Sequence, residues 1–215
     1  MLTTQSANRT SHVIGQRPAA NLLNAINLAE RLGLPLTQFI TINFSRTHYT
    51  ADTVSAAFRS ILKPFGRWMR TPKRRAGFSA VQPAYVWVVE NHGGCLHVHW
   101  LVHVPEKRLA VLAAKLPAWV SRETGGLTSG AIHFEDVDRP HGAGKYICKG
   151  IDPRFAPLYR IDFEYQGPVV GKRSGFTENL GPTARKRHVE AGVVAPLNRV
   201  YGRPAGRPFA LHELH

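Results

Sequence analysis

Two runs rich in β-branched and aromatic residues, Ala84 to Glu90 (AYVWVVE) and Leu96 to Val104 (LHVHWLVHV), stand on either side of His92, Gly93 and Gly94. Such runs suit a half-buried pleated surface, and the glycines between them supply the backbone freedom of a tight turn. They predict a β-hairpin at the centre of a sheet. Within the second run Val98, Trp100 and Val102 alternate with His97, His99, Leu101 and His103. One stripe therefore anchors the strand on a core and the other is free to carry chemistry.

Around the hairpin the apolar period changes. Residues 18–32 set Leu22, Leu23, Ile26 and Leu32 at helical spacing ahead of Gly33 and Pro35, which predicts an N-terminal helix. Phe39 to Ser45 alternates Ile40, Ile42 and Phe44 with Thr41, Asn43 and Ser45, the pattern of a half-buried strand. Asp52 is placed to cap a helix running to about Arg70, and Pro105 opens another to about Arg122. Ala131 to Phe134 reads as a short strand, and Pro140 to Lys149 as a short helix stopped by Gly150. Strands interleaved with helices predict an α+β fold, a central antiparallel sheet with flanking helices.

A chain of 215 residues suits one core with trimmings. Residues 1–36 read as an N-terminal helical extension, 37–165 as the catalytic domain, and 166–215 as a basic Gly/Pro/Arg-rich extension. In that extension 181–192 reads as a short helix and 192–215 as an extended tail.

Lys and Arg number 28 against 14 acidic residues, a net charge of +14, as expected of a partner for phosphates. The stretch Lys63 to Arg75 (KPFGRWMRTPKRR) has six basic residues and no acidic one. Lys63, Arg67, Arg70, Lys73, Arg74 and Arg75 are candidate DNA contacts there, with Phe65 and Trp68 placed to stack on bases. Lys172, Arg173, Arg185, Lys186 and Arg187 form a second basic set. No apolar stretch approaches the roughly 20 residues that cross a bilayer, and the polar start lacks the apolar core of a secretory signal, so the expectation is a cytoplasmic protein without a membrane partner. Cys95 and Cys148 form no C-x-x-C pair, and both read as buried thiols.

His97 and His99 share one face of a strand, with Cα atoms about 7 Å apart, so two imidazoles can hold one cation. If the hairpin turn holds an even number of residues, so that Glu90 lies opposite Cys95, Glu90 joins them from a position diagonal to His97; an odd turn points it away. Two imidazoles and a carboxylate suit Mn²⁺ or Mg²⁺ in function, although imidazole favours Zn²⁺ in bare affinity. An isolated His-x-His is equally at home as a hydrogen-bonded core pair. Downstream, Tyr146 and Lys149 are three apart and project together from a helix. A phenol, which ionises near ~10, becomes a nucleophile only where a positive charge or a base favours the phenolate.

Taken in order, Phe39-Ile40-Thr41-Ile42-Asn43, then Glu90 with His97-Val98-His99, then Tyr146-Ile147-Cys148-Lys149, resemble the three motifs of the HUH replication initiators over residues 37–150. The first motif departs from Phe-Thr by one intervening residue. The resemblance implies a ferredoxin-like or RRM-like sheet with His97, His99 and Glu90 as ligands of a divalent metal. It makes Tyr146 the nucleophile and Lys149 its helper at the scissile phosphate. It further implies a single-strand nickase acting at the rolling-circle origin of a plasmid or phage through a covalent protein–DNA link. A single-tyrosine transposase or relaxase shares the chemistry, and a non-catalytic nucleic-acid binder is the alternative from another class. No Walker phosphate loop is present, so strand separation and synthesis fall to a host helicase and polymerase.

Overall fold

The computed structural model describes residues 9–49, 53–72 and 77–195. In chain order its elements are β1 (Thr10–Ser11), α1 (Gln16–Arg31), β2 (Gln38–Asn43), α2 (Val54–Arg70), β3 (Tyr85–His92) and β4 (Cys95–Val102). They continue with α3 (Glu106–Thr124), β5 (Ile132–Asp136), α4 (Pro140–Ile147), α5 (Ala156–Tyr159), β6 (Val169–Val170), β7 (Ser174–Phe176) and α6 (Pro182–Glu190). Five strands form one antiparallel sheet in the order β5-β2-β4-β3-β7, so the fold is α+β with the hairpin near the sheet's centre. Only Gly93 and Gly94 join β3 to β4, both with positive φ (58° and 80°), which a two-residue hairpin turn of this hand demands.

The two faces of the sheet are covered differently. Ile40, Ile42, Trp87, Val89, Val98, Trp100 and Val102 point to one side, where α2 and α3 pack. On α2 the apolar residues Phe58, Ile61, Phe65 and Trp68 recur at helical spacing, and the rings of Phe58 and Phe65 meet Trp100 edge-on at 5.6 and 4.7 Å. Phe39, Val86, Val88 and Leu101 point to the other side, where α1 and α4 pack.

Residues outside 37–165 help build this core. Leu22, Leu23 and Ile26 of α1 belong to the same cluster as Phe39 and Leu101, β7 is an edge strand of the main sheet, and β1 pairs with β6. Strands of two or three residues leave no apolar run long enough to read in a sequence. Arg173 fastens this periphery: its guanidinium donates to Ser11 O at 2.6 Å, to Ser11 Oγ at 3.1 Å and to Gly167 O. Asp52, Lys73, Arg74, Arg75 and the tail from 196 lie outside the described residues, and Thr53 occupies the N-cap of α2. Among the described residues no helix is long and apolar enough to cross a membrane.

Candidate metal centre

The hairpin register builds the site. Glu90 lies directly across from His97, and Val88 across from His99. A longer turn would set Glu90 diagonal to His97; the two-residue turn moves it along the ladder yet keeps it on the same face, because both turns are even. On the other side of β4, strand β2 sets Thr41 across from His99 and Asn43 across from His97. One ligand atom from each of Glu90, His97 and His99 falls within 4.8 Å of the others, so the group could hold a metal ion. Glu90 is 1% and His99 5% exposed, while His97 is half-buried.

The second ring nitrogens are held from behind. His97 Nδ1 lies 2.9 Å from Cys95 O, a carbonyl that can only accept, so Nδ1 carries the proton. His99 Nδ1 lies 3.0 Å from Thr41 Oγ1. When His99 Nδ1 likewise donates, to the Thr41 hydroxyl, both Nε2 lone pairs are aimed forward, the arrangement that outer partners impose on metal-binding histidines. Those nitrogens stand 3.3 and 3.2 Å from Glu90 Oε2, yet His99 Nε2 and both Glu90 carboxylate oxygens are buried without a hydrogen-bond partner. His97 Nε2, His99 Nε2 and Glu90 Oε2 thus converge with bonding capacity that no hydrogen bond takes up, and a cation between them would take it up. The donor set fits a divalent metal.

The electrostatics agree. Burial alone raises the Glu90 carboxyl, but the two imidazoles against it and the Lys149 ammonium outweigh that and lower it to about 2. Burial lowers His99, against the opposing pull of Glu90, which favours the neutral, ligating imidazole. Lys149 Nζ lies 3.5 Å from both Glu90 Oε2 and Glu164 Oε2, and 3.3 Å from Tyr146 Oη, to which it donates. Burial disfavours its charge, but Glu90, Tyr146 and Glu164 more than compensate, and its pKa is raised.

Tyr146 sits on α4 over the same face of the sheet. Its ring centroid is 5.7 Å from that of His99 and 5.9 Å from that of Phe39, and it is 51% exposed. The helix ends at Ile147 rather than Lys149, but Lys149 N donates to Tyr146 O at 3.1 Å, and that turn keeps the two side chains together. Gly144 lets α4 close on α1: a Cβ there would collide with Ile26 Cδ1. Beside Tyr146 opens a cavity of about 520 Å³ lined by Phe39, Thr41, His99, Glu135, Asp136 and Asp138 among others. Thr41 and Glu164 escape a reading of the sequence, since Thr41 reaches His99 through the β2–β4 pairing and Glu164 reaches Lys149 through a loop whose backbone N–H donates to Lys149 O.

The proposed DNA contacts divide. Lys63, Arg67 and Arg70 are exposed on α2, where Arg59 joins them. That helix packs on the sheet face opposite Glu90 and His97, so its outer surface does not adjoin the metal centre. Phe65 and Trp68 are core residues, 0% and 7% exposed, because helical spacing turns them inward with Phe58 and Ile61; they are not stacking platforms. Arg173 is 6% exposed, with Nε and one terminal nitrogen donating to Ser11 and Gly167 and the other buried, so it does not present a surface charge. Lys172 and, on α6, Lys186 and Arg187 are exposed, and Arg185 is half-buried. Of the other tyrosines near the site, Tyr159 is buried, whereas Tyr165 is exposed with Oη 3.2 Å from His12 Nδ1. Cys148 is buried, but Cys95 is exposed, since β4 begins directly after the turn and places it at the hairpin tip. No family model and no curated protein matches this chain, so what the site can do is argued from its own geometry.

Proposed function

We propose that this chain is a single-strand DNA nickase of the HUH kind that initiates rolling-circle replication. The observation that carries the reading is the shared ammonium: Lys149 Nζ touches both the phenol oxygen of Tyr146 and the carboxylate of the metal group, so one phosphate can reach nucleophile and cation together. When bound, a divalent cation at Glu90, His97 and His99 supplies Lewis-acid polarisation of a non-bridging phosphate oxygen. Lys149 Nζ, which donates to Tyr146 Oη, stands where it can orient the phenol oxygen and balance the negative charge of the scissile phosphate, and the exposure of Tyr146 lets its proton leave to solvent. The Tyr146 Oη–phosphorus bond forms as the bond to the 3′ oxygen breaks, and that oxygen takes up a proton. The products are a 5′-phosphotyrosine and a free 3′-hydroxyl, and the stored ester lets a later 3′-hydroxyl rejoin the strand.

The test is a denaturant-resistant protein–DNA adduct formed from a library of single strands in Mn²⁺. An adduct present with the natural chain and absent with Tyr146→Phe supports the reading. Binding without an adduct on any strand overturns it and leaves a nucleic-acid binder.

A further inference from the structure

Lys149 is shared between two acids. Its Nζ lies 3.5 Å from Glu90 Oε2 and equally 3.5 Å from Glu164 Oε2. Glu90 Oε2 is also the oxygen on which His97 Nε2 and His99 Nε2 close, at 3.3 and 3.2 Å, so the ammonium leans on the atom that a divalent cation would take. Glu90 supplies the one carboxylate of that group. A single negative charge cannot hold an ammonium and a divalent cation side by side without their repelling one another. Cation uptake therefore needs the Lys149 charge drawn aside.

Glu164 is placed to receive it. Its backbone N–H donates to Lys149 O at 2.9 Å, and Gln166 Nε2 donates to Glu164 O at 3.2 Å. Gln166 is buried, and its own carbonyl accepts from the N–H of Asn91 at 2.8 Å, next to Glu90 on β3. Gly150 lets this loop lie close, since a Cβ there would meet Gln166 Cγ at 3.0 Å. The loop is thus pinned both to the backbone of the lysine and to the strand that carries Glu90. Glu164 stands outside the converging donors, and its side chain is 52% exposed. We infer that Glu164 is a positioning residue: it draws the Lys149 ammonium off Glu90 when a divalent cation enters, and so raises the cation affinity of Glu90, His97 and His99 without touching the ion. The inference rests on the metal reading of that group.

Its test is a double-mutant cycle read by calorimetric Mn²⁺ titration of the full chain, with Glu164→Gln, Lys149→Met and the two combined. Glu164→Gln should weaken Mn²⁺ binding about tenfold, and Lys149→Met should tighten it, because the competing charge is gone. With Lys149→Met already in place, Glu164→Gln should change the affinity by less than about twofold. An equal loss in both backgrounds overturns the inference, because Glu164 would then act on the cation directly. No loss in the natural background overturns it as well. Should Lys149→Met not fold, Lys149→Gln removes the same charge, keeps a donor for Glu90 and completes the cycle with the same expected outcomes. Failure of every protein in the cycle to take up Mn²⁺ removes the metal reading and the inference with it, whereas uptake without coupling removes only the role of Glu164.

Discussion

At the scale of single residues the metal group depends on side chains behind it. Thr41→Val removes the partner of His99 Nδ1 and frees the ring to change tautomer. Metal affinity by calorimetry should fall about 10–100-fold while the fold is retained. Glu90 gives a separate signature in the metal-free protein. Its folded pKa of about 2 lies below the ordinary 4.5, so its ionised form favours the folded state. That contribution is complete above pH ~4.5 and is lost as pH falls through about 2. Denaturant unfolding of Glu90→Gln should therefore show a shallower loss of stability than the natural chain across that window. Identical slopes would mean that the carboxylate is not held by its imidazoles and Lys149. The histidine pair of the metal group was legible in the sequence, because period-two alternation puts His97 and His99 on one face whatever the rest of the fold does, whereas the place of Glu90 turned on the length of the hairpin turn. Thr41 was not, since it reaches His99 through the β2–β4 register, which alternation within one strand cannot specify.

At the scale of elements the decisive contact is between α1 and α4, because it sets where Tyr146 stands. Gly144→Leu forces bulk against Ile26 in a packed core and should cost about 1–3 kcal/mol. Nicking should fall further than stability, as α4 is displaced from the sheet. Adding Ile26→Ala returns volume to the interface, and recovery of thermal stability and adduct yield together would show that the gap between these helices positions the phenol. The long elements announced themselves through composition and period, as α2 and the hairpin illustrate. The β6 and β7 strands did not, having two and three residues each and drawing their definition from partners far away in the chain. The same blindness misassigned Trp68 and Phe65: a basic run with aromatics resembles a binding surface until the helix is turned and the rings prove to be its inner face.

At the scale of the whole molecule the sheet separates two kinds of surface. Arg59, Lys63, Arg67 and Arg70 lie on one side without ion pairs among the described residues, while the metal centre and the cavity beside Tyr146 lie on the other. Replacing those four by Gln should reduce the salt slope of DNA binding by up to about four times the ~0.7–0.9 of a single phosphate contact. Metal affinity, and adduct yield at saturating DNA, should be unchanged; loss of either would place the stripe in the reacting centre. The net charge of +14 is legible from composition, but its partition across the sheet is a property of packing that no residue count contains. Arg173 links the far ends of the chain to this arrangement. Its oxygens come from Ser11 and Gly167, and its charge is felt by Glu90. Trimming the polypeptide ahead of Ile14 would leave that guanidinium only Gly167 O of its present acceptors and let it swing toward water, so a shortened protein should bind a divalent cation with altered affinity, although none of Glu90, His97 and His99 had been touched.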